Sequence, residues 1–345
     1  MVAASGPADP IIDHEKVGGR LDSRAGEGKR MRHKTLTAVA AVGLGLLTAC
    51  ASISSSSTTA PAASGTTAPA ASGTSAPAAS GTASATPSAS TSTAAACSNA
   101  SIQPELYAKG ALTVATDTPA YPPWFINNKP SNGRGYESAV AFAVAKQLGF
   151  TASQVNWVTE PFDSSYAPGP KKFDFDINEI SYTAQRATAV TFSDSYYDVQ
   201  QSLVALKGSQ IAAKHDPASL KTYVYGDQIG TTSLAFINSQ IQPTGTPKVF
   251  NTLNDVKQAL DTKQIAAFVT DTPTAQYITT SEIPNSVMVA QFPSTGEHYG
   301  LLLRKGNPLV TCVNTALATL KSNGTLASLQ KRYLQIYLSV PTIKP

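Results

Sequence analysis

A long tract of small residues limits how much of this 345-residue chain can fold. Residues 51–96 are almost entirely Ala, Ser, Thr, Gly and Pro, and an eight-residue unit recurs there as APAASGTT, APAASGTS and APAASGTA. This composition offers almost nothing to bury, so it predicts a disordered tether that spans roughly 35–40 Å as a random coil. Folding is therefore expected from about residue 97 to residue 345, a length that suits one large or two modest α/β lobes.

The segment before the tether has the features of an export signal. Met31 is followed by a short basic stretch and then by an apolar run that is too short to span a bilayer comfortably. The run ends in LTAC, which resembles a bacterial lipobox and implies cleavage before Cys50 and lipidation of its thiol. The alternative is a plain secretory signal followed by a chance cysteine. Residues 1–30 are polar and predict no function; Met31 is a candidate for the true start.

Charge and residue usage argue against several classes of function. The formal net charge is +4, and after residue 49 the numbers of basic and acidic residues are nearly equal. This balance gives no support for nucleic-acid binding. After Cys50 the histidines are His215 and His298, too few for a metal cluster or a convincing catalytic triad. No phosphate-binding loop of the Walker type appears. The sequence therefore predicts no enzyme activity, no cofactor and no metal.

The stretch 173–208 is the part of the folded segment that points to a site. In FDFDIN, residues 173–178, apolar and polar residues alternate, which predicts a half-buried strand. Asp174 and Asp176 would then lie on one face and Glu179 on the other, which argues against paired catalytic carboxylates.

Two hydroxyl residues follow this strand. Ser181 and Thr183 precede AQRA and predict a helix N-cap, with the helix beginning near Ala184. The first amides of a helix bind carboxylates, and Arg186, one turn inside, can add a bidentate fork to the same anion. The alternative is that Arg186 is an ordinary surface arginine near a helix start.

The same stretch resembles a known family. Its small and hydroxyl residues, the T-x-x-R pattern and the following FSDSYY are similar to the signature of family 3 extracellular solute-binding proteins, and the resemblance extends from about Leu106 to Tyr337. Members bind amino acids and similar compounds for ABC importers. The resemblance implies an α/β, two-lobed fold of the type II periplasmic-binding-protein kind, with a mixed sheet and flanking helices in each lobe and two hinge crossings. It also implies a small polar ligand, a permease partner and a monomer.

The first loop is a candidate ligand contact. A strand predicted at Leu112–Ala115 leads into a loop that holds Asp117, Tyr121 and Trp124, and ligands of open α/β sheets bind at such strand ends. The family resemblance implies that Tyr121 or Trp124 packs against the ligand's side chain. The alternative is that both rings merely wedge the loop onto the core. Phe162, at the exit of the second predicted strand, could line the pocket, but a core role is expected.

The second lobe offers two more candidates. Thr231 and Thr232 follow a predicted strand and precede a helix, where they resemble the family's second-lobe carboxylate contact. Asp271 ends the buried strand predicted at 265–271, a position at which the family holds the ligand's α-amino group. The alternative for Asp271 is an N-cap of the following helix, and both roles can coexist on two carboxylate oxygens.

Glu179 departs from the family pattern, which usually has a small residue there. Three fates stay open: it projects into the cleft and meets a ligand cation, it pairs with a neighbouring Lys or Arg, or it turns to solvent. Buried without a partner it would be costly. The first fate predicts an amino acid or close relative with a cationic or strongly hydrogen-bonding side group.

Three further elements can be predicted. The helix at 135–150 is expected to bury Ala139, Phe142, Ala143 and Leu148. Thr252 and Asp255 form a partial capping box, and a helix after Pro308 is expected to bury Leu309, Val313, Ala316, Leu317 and Leu320. With Cys50 lipidated, Cys97 and Cys312 remain as a pair that should be oxidised in an exported protein.

Together these features predict a lipid-anchored binding protein on the extracellular face of the cell membrane. Its divisions are an extension (1–30), a signal peptide (31–49), a tether (50–96), lobe 1 (97–204 and 299–345) and lobe 2 (205–298). The alternatives are an enzyme on the same fold, similar to cyclohexadienyl dehydratase, and a sensor or cell-wall lipoprotein without a transport role.

Overall fold

The computed structural model describes residues 97–335 and 340–343. The predicted extension, signal peptide, Cys50 and tether lie outside these residues. Within them, no helix is both long enough and apolar enough to cross a membrane.

The described chain forms two larger sheets and a separate two-stranded pair, with flanking helices. The strands are β1 (Leu112–Thr116), β2 (Val155–Thr159), β3 (Phe175–Asp176), β4 (Val190–Asp198), β5 (Gln201–Leu206), β6 (Gly226–Gln228), β7 (Lys248–Phe250), β8 (Ala267–Asp271), β9 (Ser286–Gln291) and β10 (His298–Arg304). The helices are α1 (Tyr136–Gln147), α2 (Phe162–Ser165), α3 (Arg186–Ala189), α4 (Pro217–Leu220), α5 (Thr232–Phe236), α6 (Leu253–Asp261), α7 (Thr272–Tyr277), α8 (Leu309–Ser322) and α9 (Thr325–Tyr333). Single π-helical turns extend α5 and α7, over Ile237–Ile241 and Ile278–Glu282.

The first sheet has the order β2-β1-β3-β10-β4. β1 is parallel to β2 and β3, whereas β10 runs antiparallel to β3 and β4. Apolar clusters cover both faces, so the prediction of a half-buried strand was wrong: residues 173–178 are all buried. Asp174 is accommodated because its oxygens accept backbone N–H groups of Tyr107 and Thr113, both at 2.6 Å. Alternation could not reveal this, because burial depends on the neighbouring strands.

The second sheet has the order β8-β5-β9 and is antiparallel, and β6 and β7 form a separate parallel pair. Every residue of β5 pairs with β8, with β9 or with both. The predicted lobe boundary at 204/205 therefore falls inside a strand of the second sheet. Thr342 also bridges to Gln291, and Ile343 is buried in the second sheet's core. We therefore propose that lobe 2 starts near Gln201 and includes residues 340–343.

The predictions for the helices had mixed outcomes. α8 buries the expected face, and the capping box of Thr252 and Asp255 at the start of α6 is complete. Leu148 is buried as expected, whereas Ala139, Phe142 and Ala143 are only partly buried. α1 instead buries Val140, Ala141, Val144 and Ala145; it is apolar nearly all round, so the pattern did not fix the inner face.

Cys97 and Cys312 form a disulfide with a Cα–Cα distance of 5.2 Å. It ties the start of the described chain to α8 across 215 residues.

Candidate functional site

A cavity lies between the first and second sheets, where several strands end. Its lining residues come from both lobes and are Asp117, Pro119, Tyr121, Phe162, Asn178, Glu179, Gln201, Asp227, Gln228, Thr231, Thr232, Ser233, Leu253, Thr270, Asp271 and Tyr299. Four of these residues are carboxylates, and none of this lining set is Lys, Arg or His. The cavity therefore has the electrostatic character of a cation-binding site.

Asp117 and Tyr121 bring the first loop to the cavity. The carboxylate of Asp117 accepts the N–H of Thr118 through Oδ1 at 2.6 Å, and it ties the loop to α2 because Oδ2 accepts the N–H of Phe162 at 3.3 Å. Burial and the nearby Glu179 raise the pKa of Tyr121 above its usual range, so its hydroxyl stays protonated. Phe162 lines the cavity as well, although a core role was expected from the sequence.

Of the two rings considered as ligand contacts, Tyr121 lines the cavity and Trp124 does not. The Trp124 side chain is fully buried and meets the rings of Tyr136, Tyr197 and Tyr299 edge-on. Its Nε1–H donates to Thr274 Oγ1 at 2.7 Å, which links lobe 1 to α7 of lobe 2. An indole with a satisfied N–H in an aromatic cluster is a structural anchor.

Glu179 lines the cavity in an unusual backbone conformation. Its φ of +54° is left-handed, a region that non-glycine residues seldom adopt. Its N–H donates to Glu137 Oε1 at 2.7 Å, and the same oxygen accepts the Tyr196 hydroxyl. Burial and the nearby Asp271 raise the pKa of the Glu179 carboxyl well above its usual range.

Glu137 supports this turn from the start of α1. It is fully buried, its second oxygen Oε2 has no hydrogen-bond partner among the described residues, and burial raises its pKa to about 8. The backbone N–H of Glu137 donates to the carbonyl of Trp124 at 3.0 Å. A side chain at Gly135 would collide with that carbonyl, so glycine is required where α1 meets the first loop.

Asp271 caps a helix, which was one of the two roles considered from the sequence, and it also lines the cavity. Oδ1 accepts the N–H of Thr274 at 2.9 Å and so caps α7. Oδ2 has only a 3.5 Å contact with Thr270 Oγ1, which leaves it available to a ligand. Burial raises the pKa of Asp271 to about 6, against the opposing effect of the Thr274 N–H.

Thr231 and Thr232 line the cavity at the start of α5. Thr231 is the N-cap: its Oγ1 accepts the N–H of Leu234 at 3.1 Å. The hydroxyl oxygens of Thr232 and Ser181 lie 3.2 Å apart and join the two lobes.

Arg186 lies outside the cavity lining. Nη1 donates to the carbonyl of Ser181 at 2.7 Å and Nη2 to that of Gly230 at 2.8 Å, so the guanidinium links the two lobes. It lies over Tyr166, with Cζ 4.4 Å from the ring centroid, and burial lowers its pKa.

The helix predicted to start near Ala184 is present but starts two residues later and is only one turn long. α3 begins at Arg186, spans four residues, and is preceded by Thr183, whose Oγ1 accepts the N–H of Arg186 at 3.0 Å. A single turn has too few aligned peptides to make the helix-end carboxylate site expected from the sequence. Thr183, like Arg186, lines a neighbouring depression that shares Thr231 and Thr232 with the cavity.

Several lining residues had no strong sequence signal. Gln201 and Tyr299 lie on strands next to the crossings, so their proximity to the site depends on how the sheets meet. Asp227 lies in the middle of the short strand β6; it accepts the N–H groups of Gln228 and Val269, and burial raises its pKa to about 8.

Comparison with known proteins agrees with this architecture. The family model described as "Bacterial extracellular solute-binding proteins, family 3" matches residues 112–336. The L-arginine-binding protein of Pseudomonas aeruginosa is 25% identical over 238 residues, covering 64% of this chain and 90% of the relative. The ABC transporter glutamine-binding protein GlnH of Bacillus subtilis is 26% identical and covers 60% of this chain and 75% of the relative.

Comparison with solved structures supports the same fold. An ancestral arginine-binding protein bound to arginine matches with a TM-score of 0.57 and 28% identity, over 66% of this chain and 99% of that one.

Proposed function

Because the chain belongs to the bacterial extracellular solute-binding proteins of family 3, we propose that it captures a small cationic solute, an amino acid or a close relative, for an ABC importer. The solute would bind in the cavity between the two lobes and pass to a membrane permease. Support for the importer comes from the family and from the Bacillus subtilis relative, an ABC transporter glutamine-binding protein.

The observation that carries the cationic ligand is the composition of the cavity wall. Asp117 and Glu179 face the cavity from lobe 1, and Asp227 and Asp271 from lobe 2, with no basic side chain among the lining residues. Carboxylates withdrawn from water are costly unless a cation or several donors stand beside them. A ligand ammonium or guanidinium would provide that partner.

Glu179 is the residue that most directly supports a cationic ligand. In the described chain the salt bridge present is Lys257–Glu282, so Glu179 is not paired there with a basic side chain. Its place on the cavity wall favours the first of the three fates considered from the sequence. We propose that Glu179 and Asp271 together hold the ligand's positive charge.

The proposed location is the extracellular face of the cell membrane. It rests on the lipobox-like ending at Cys50 and on the export-type segment before it. Mass spectrometry of the membrane fraction should show Cys50 as a lipidated mature N-terminus; an unmodified Cys50 thiol would contradict the anchor.

A thermal-shift screen tests the ligand class. Arginine, lysine, ornithine and their decarboxylated amines should raise the melting temperature, and glutamate should not. The Asp271→Asn variant should lose the response, while Asp194→Asn, which removes an exposed carboxylate, should keep it. Recovery of the ligand unchanged favours binding, whereas conversion to a product would favour an enzyme, and no response to any solute would favour a non-transport lipoprotein.

A further inference from the structure

We propose that Glu297 supplies, from within the protein, the carboxylate that an amino-acid ligand would otherwise bring, so that the site prefers cationic amines without a carboxylate. This inference rests on the proposed function and narrows its ligand to linear diamines and guanidino-amines. Glu297 lies on the segment that crosses from β9 back to β10 and is half-buried.

Both oxygens of Glu297 are engaged by donors at the junction of the lobes. Oε1 accepts the hydroxyl of Ser181 at 2.6 Å, and Oε2 accepts the side-chain amide of Gln201 at 2.9 Å. Ser181 and Gln201 are neutral donors from the two sides of the cleft. Charge-assisted hydrogen bonds of this kind are about twice as strong as neutral ones, so Glu297 holds these donors firmly.

Ser181 and Gln201 also contact residues that line the cavity. The Ser181 hydroxyl lies 3.2 Å from that of Thr232, and Ser233 donates to Gln201 Oε1 at 2.9 Å. Gln201, Thr232 and Ser233 all line the cavity. The hydroxyl and amide donors available to an incoming carboxylate are therefore already organised around the protein's own carboxylate.

Arg186 lies beside the cavity without lining it, and the negative charge of Glu297 already offsets part of its positive charge. Two of its N–H groups donate to the carbonyls of Ser181 and Gly230, and it is absent from the cavity lining. A ligand carboxylate in the cavity would face four lining carboxylates with no lining cation to offset them. An amine that lacks the carboxylate avoids this repulsion while its cationic groups still meet the lining carboxylates.

Matched pairs of ligands test the inference in the wild-type protein. Calorimetry would compare arginine with agmatine, lysine with cadaverine and ornithine with putrescine. In each pair the decarboxylated member is expected to bind at least about tenfold more tightly. Equal or tighter binding of the amino acid would overturn the inference and leave the proposed function intact. Failure of all six cations to bind would instead count against the proposed function.

The Glu297→Gln variant tests the residue itself. It keeps the size of the side chain and removes its charge, so the preference for agmatine over arginine should shrink by about tenfold. Asp194→Asn, a change at an exposed carboxylate, should leave the ratio unchanged. A wild-type ratio in a folded Glu297→Gln protein would overturn the role of Glu297.

Arginine methyl ester gives a readout that needs no variant. The ester removes the ligand's carboxylate charge while keeping its two cationic groups. Wild-type protein should bind the ester more tightly than arginine, and weaker binding of the ester would contradict the inference even if Glu297→Gln fails to fold.

Discussion

The backbone N–H of Glu179 donates to the buried carboxyl of Glu137 at 2.7 Å, and this bond holds Glu179 in a left-handed conformation at the cavity wall. A cavity carboxylate is thus positioned by a second carboxylate from α1. The arrangement concentrates negative charge where the ligand is proposed to bind, at a cost to the ligand-free protein.

The Glu179→Gly variant should separate this cost from its benefit. Glycine adopts positive φ without strain and removes a buried carboxyl, so the free energy of unfolding should rise by about 1 kcal/mol. Affinity for a cationic ligand should fall at the same time. Denaturant unfolding and calorimetry check both effects; Glu179→Ala, which keeps the strain, should lose affinity without the gain in stability.

Loss of Glu137, which supports Glu179, should lower both stability and ligand affinity. Glu137→Ala removes the acceptor of the Glu179 N–H and of the Tyr196 hydroxyl. Leaving these buried donors unsatisfied should cost about 2–3 kcal/mol of stability and weaken ligand binding. Glu137→Gln keeps an acceptor oxygen and is the matched control, so equal losses in both variants would contradict the positioning role.

Arg186 should contribute to lobe contact and not to recognition of a ligand carboxylate. Its guanidinium bridges the carbonyls of Ser181 and Gly230, a geometry that lysine cannot reproduce. Arg186→Lys should therefore weaken binding of arginine and agmatine by the same factor. A loss confined to arginine would show that Arg186 holds the ligand's carboxylate, as the sequence had suggested.

The disulfide should be a major source of stability. Cys97 and Cys312 close a loop of 215 residues, and removal of such a link typically costs 2–5 kcal/mol. The double variant Cys97→Ser/Cys312→Ser should unfold at lower denaturant concentration yet bind the ligand normally when folded. Unchanged stability after reduction of the wild-type protein would contradict this.

Binding and stability should depend on pH in opposite directions. The pKa of Asp271 is raised to about 6, and that of Glu179 is raised too, so acidification protonates both and should abolish binding of a cation. A carboxyl whose folded pKa exceeds its unfolded value contributes stability below the unfolded pKa and loses it as pH rises through the folded pKa.

For Asp271 that loss spans roughly pH 4–6, and for Glu137 and Asp227, both with pKa raised to about 8, it extends to about pH 8. The ligand-free protein should therefore melt at a higher temperature near pH 5 than near pH 8, while the ligand-induced rise in melting temperature should be larger near pH 8. A ligand effect that does not change with pH would contradict the proposed role of these carboxyls.

Local signals in the sequence predicted part of the structure well. The capping box of Thr252 and Asp255 and the buried face of α8 were predicted because each depends on residues close together in the chain. The pairing of Cys97 with Cys312 followed from having two cysteines left after Cys50. The two-lobed fold followed from the family resemblance.

Non-local geometry limited the rest. The burial of β3 depends on β1 and β10, and the position of Trp124 depends on tyrosines from α1, β4 and β10. Glu297 and Gln201 meet because two crossing segments run side by side, which no local pattern reveals. Arg186 had the residue type of a carboxylate ligand, but two of its N–H donors bond to the carbonyls of Ser181 and Gly230, and it does not line the cavity.

Calorimetric titration of wild-type protein with agmatine, arginine and glutamate near pH 8 tests the central claim most directly. A cavity lined by four carboxylates and no basic residue should bind both cations and give no heat with glutamate. The Glu179→Gln/Asp271→Asn double variant should lose binding of both cations, with Asp194→Asn as the control. Tight binding of glutamate, with no response to either cation, would contradict the account.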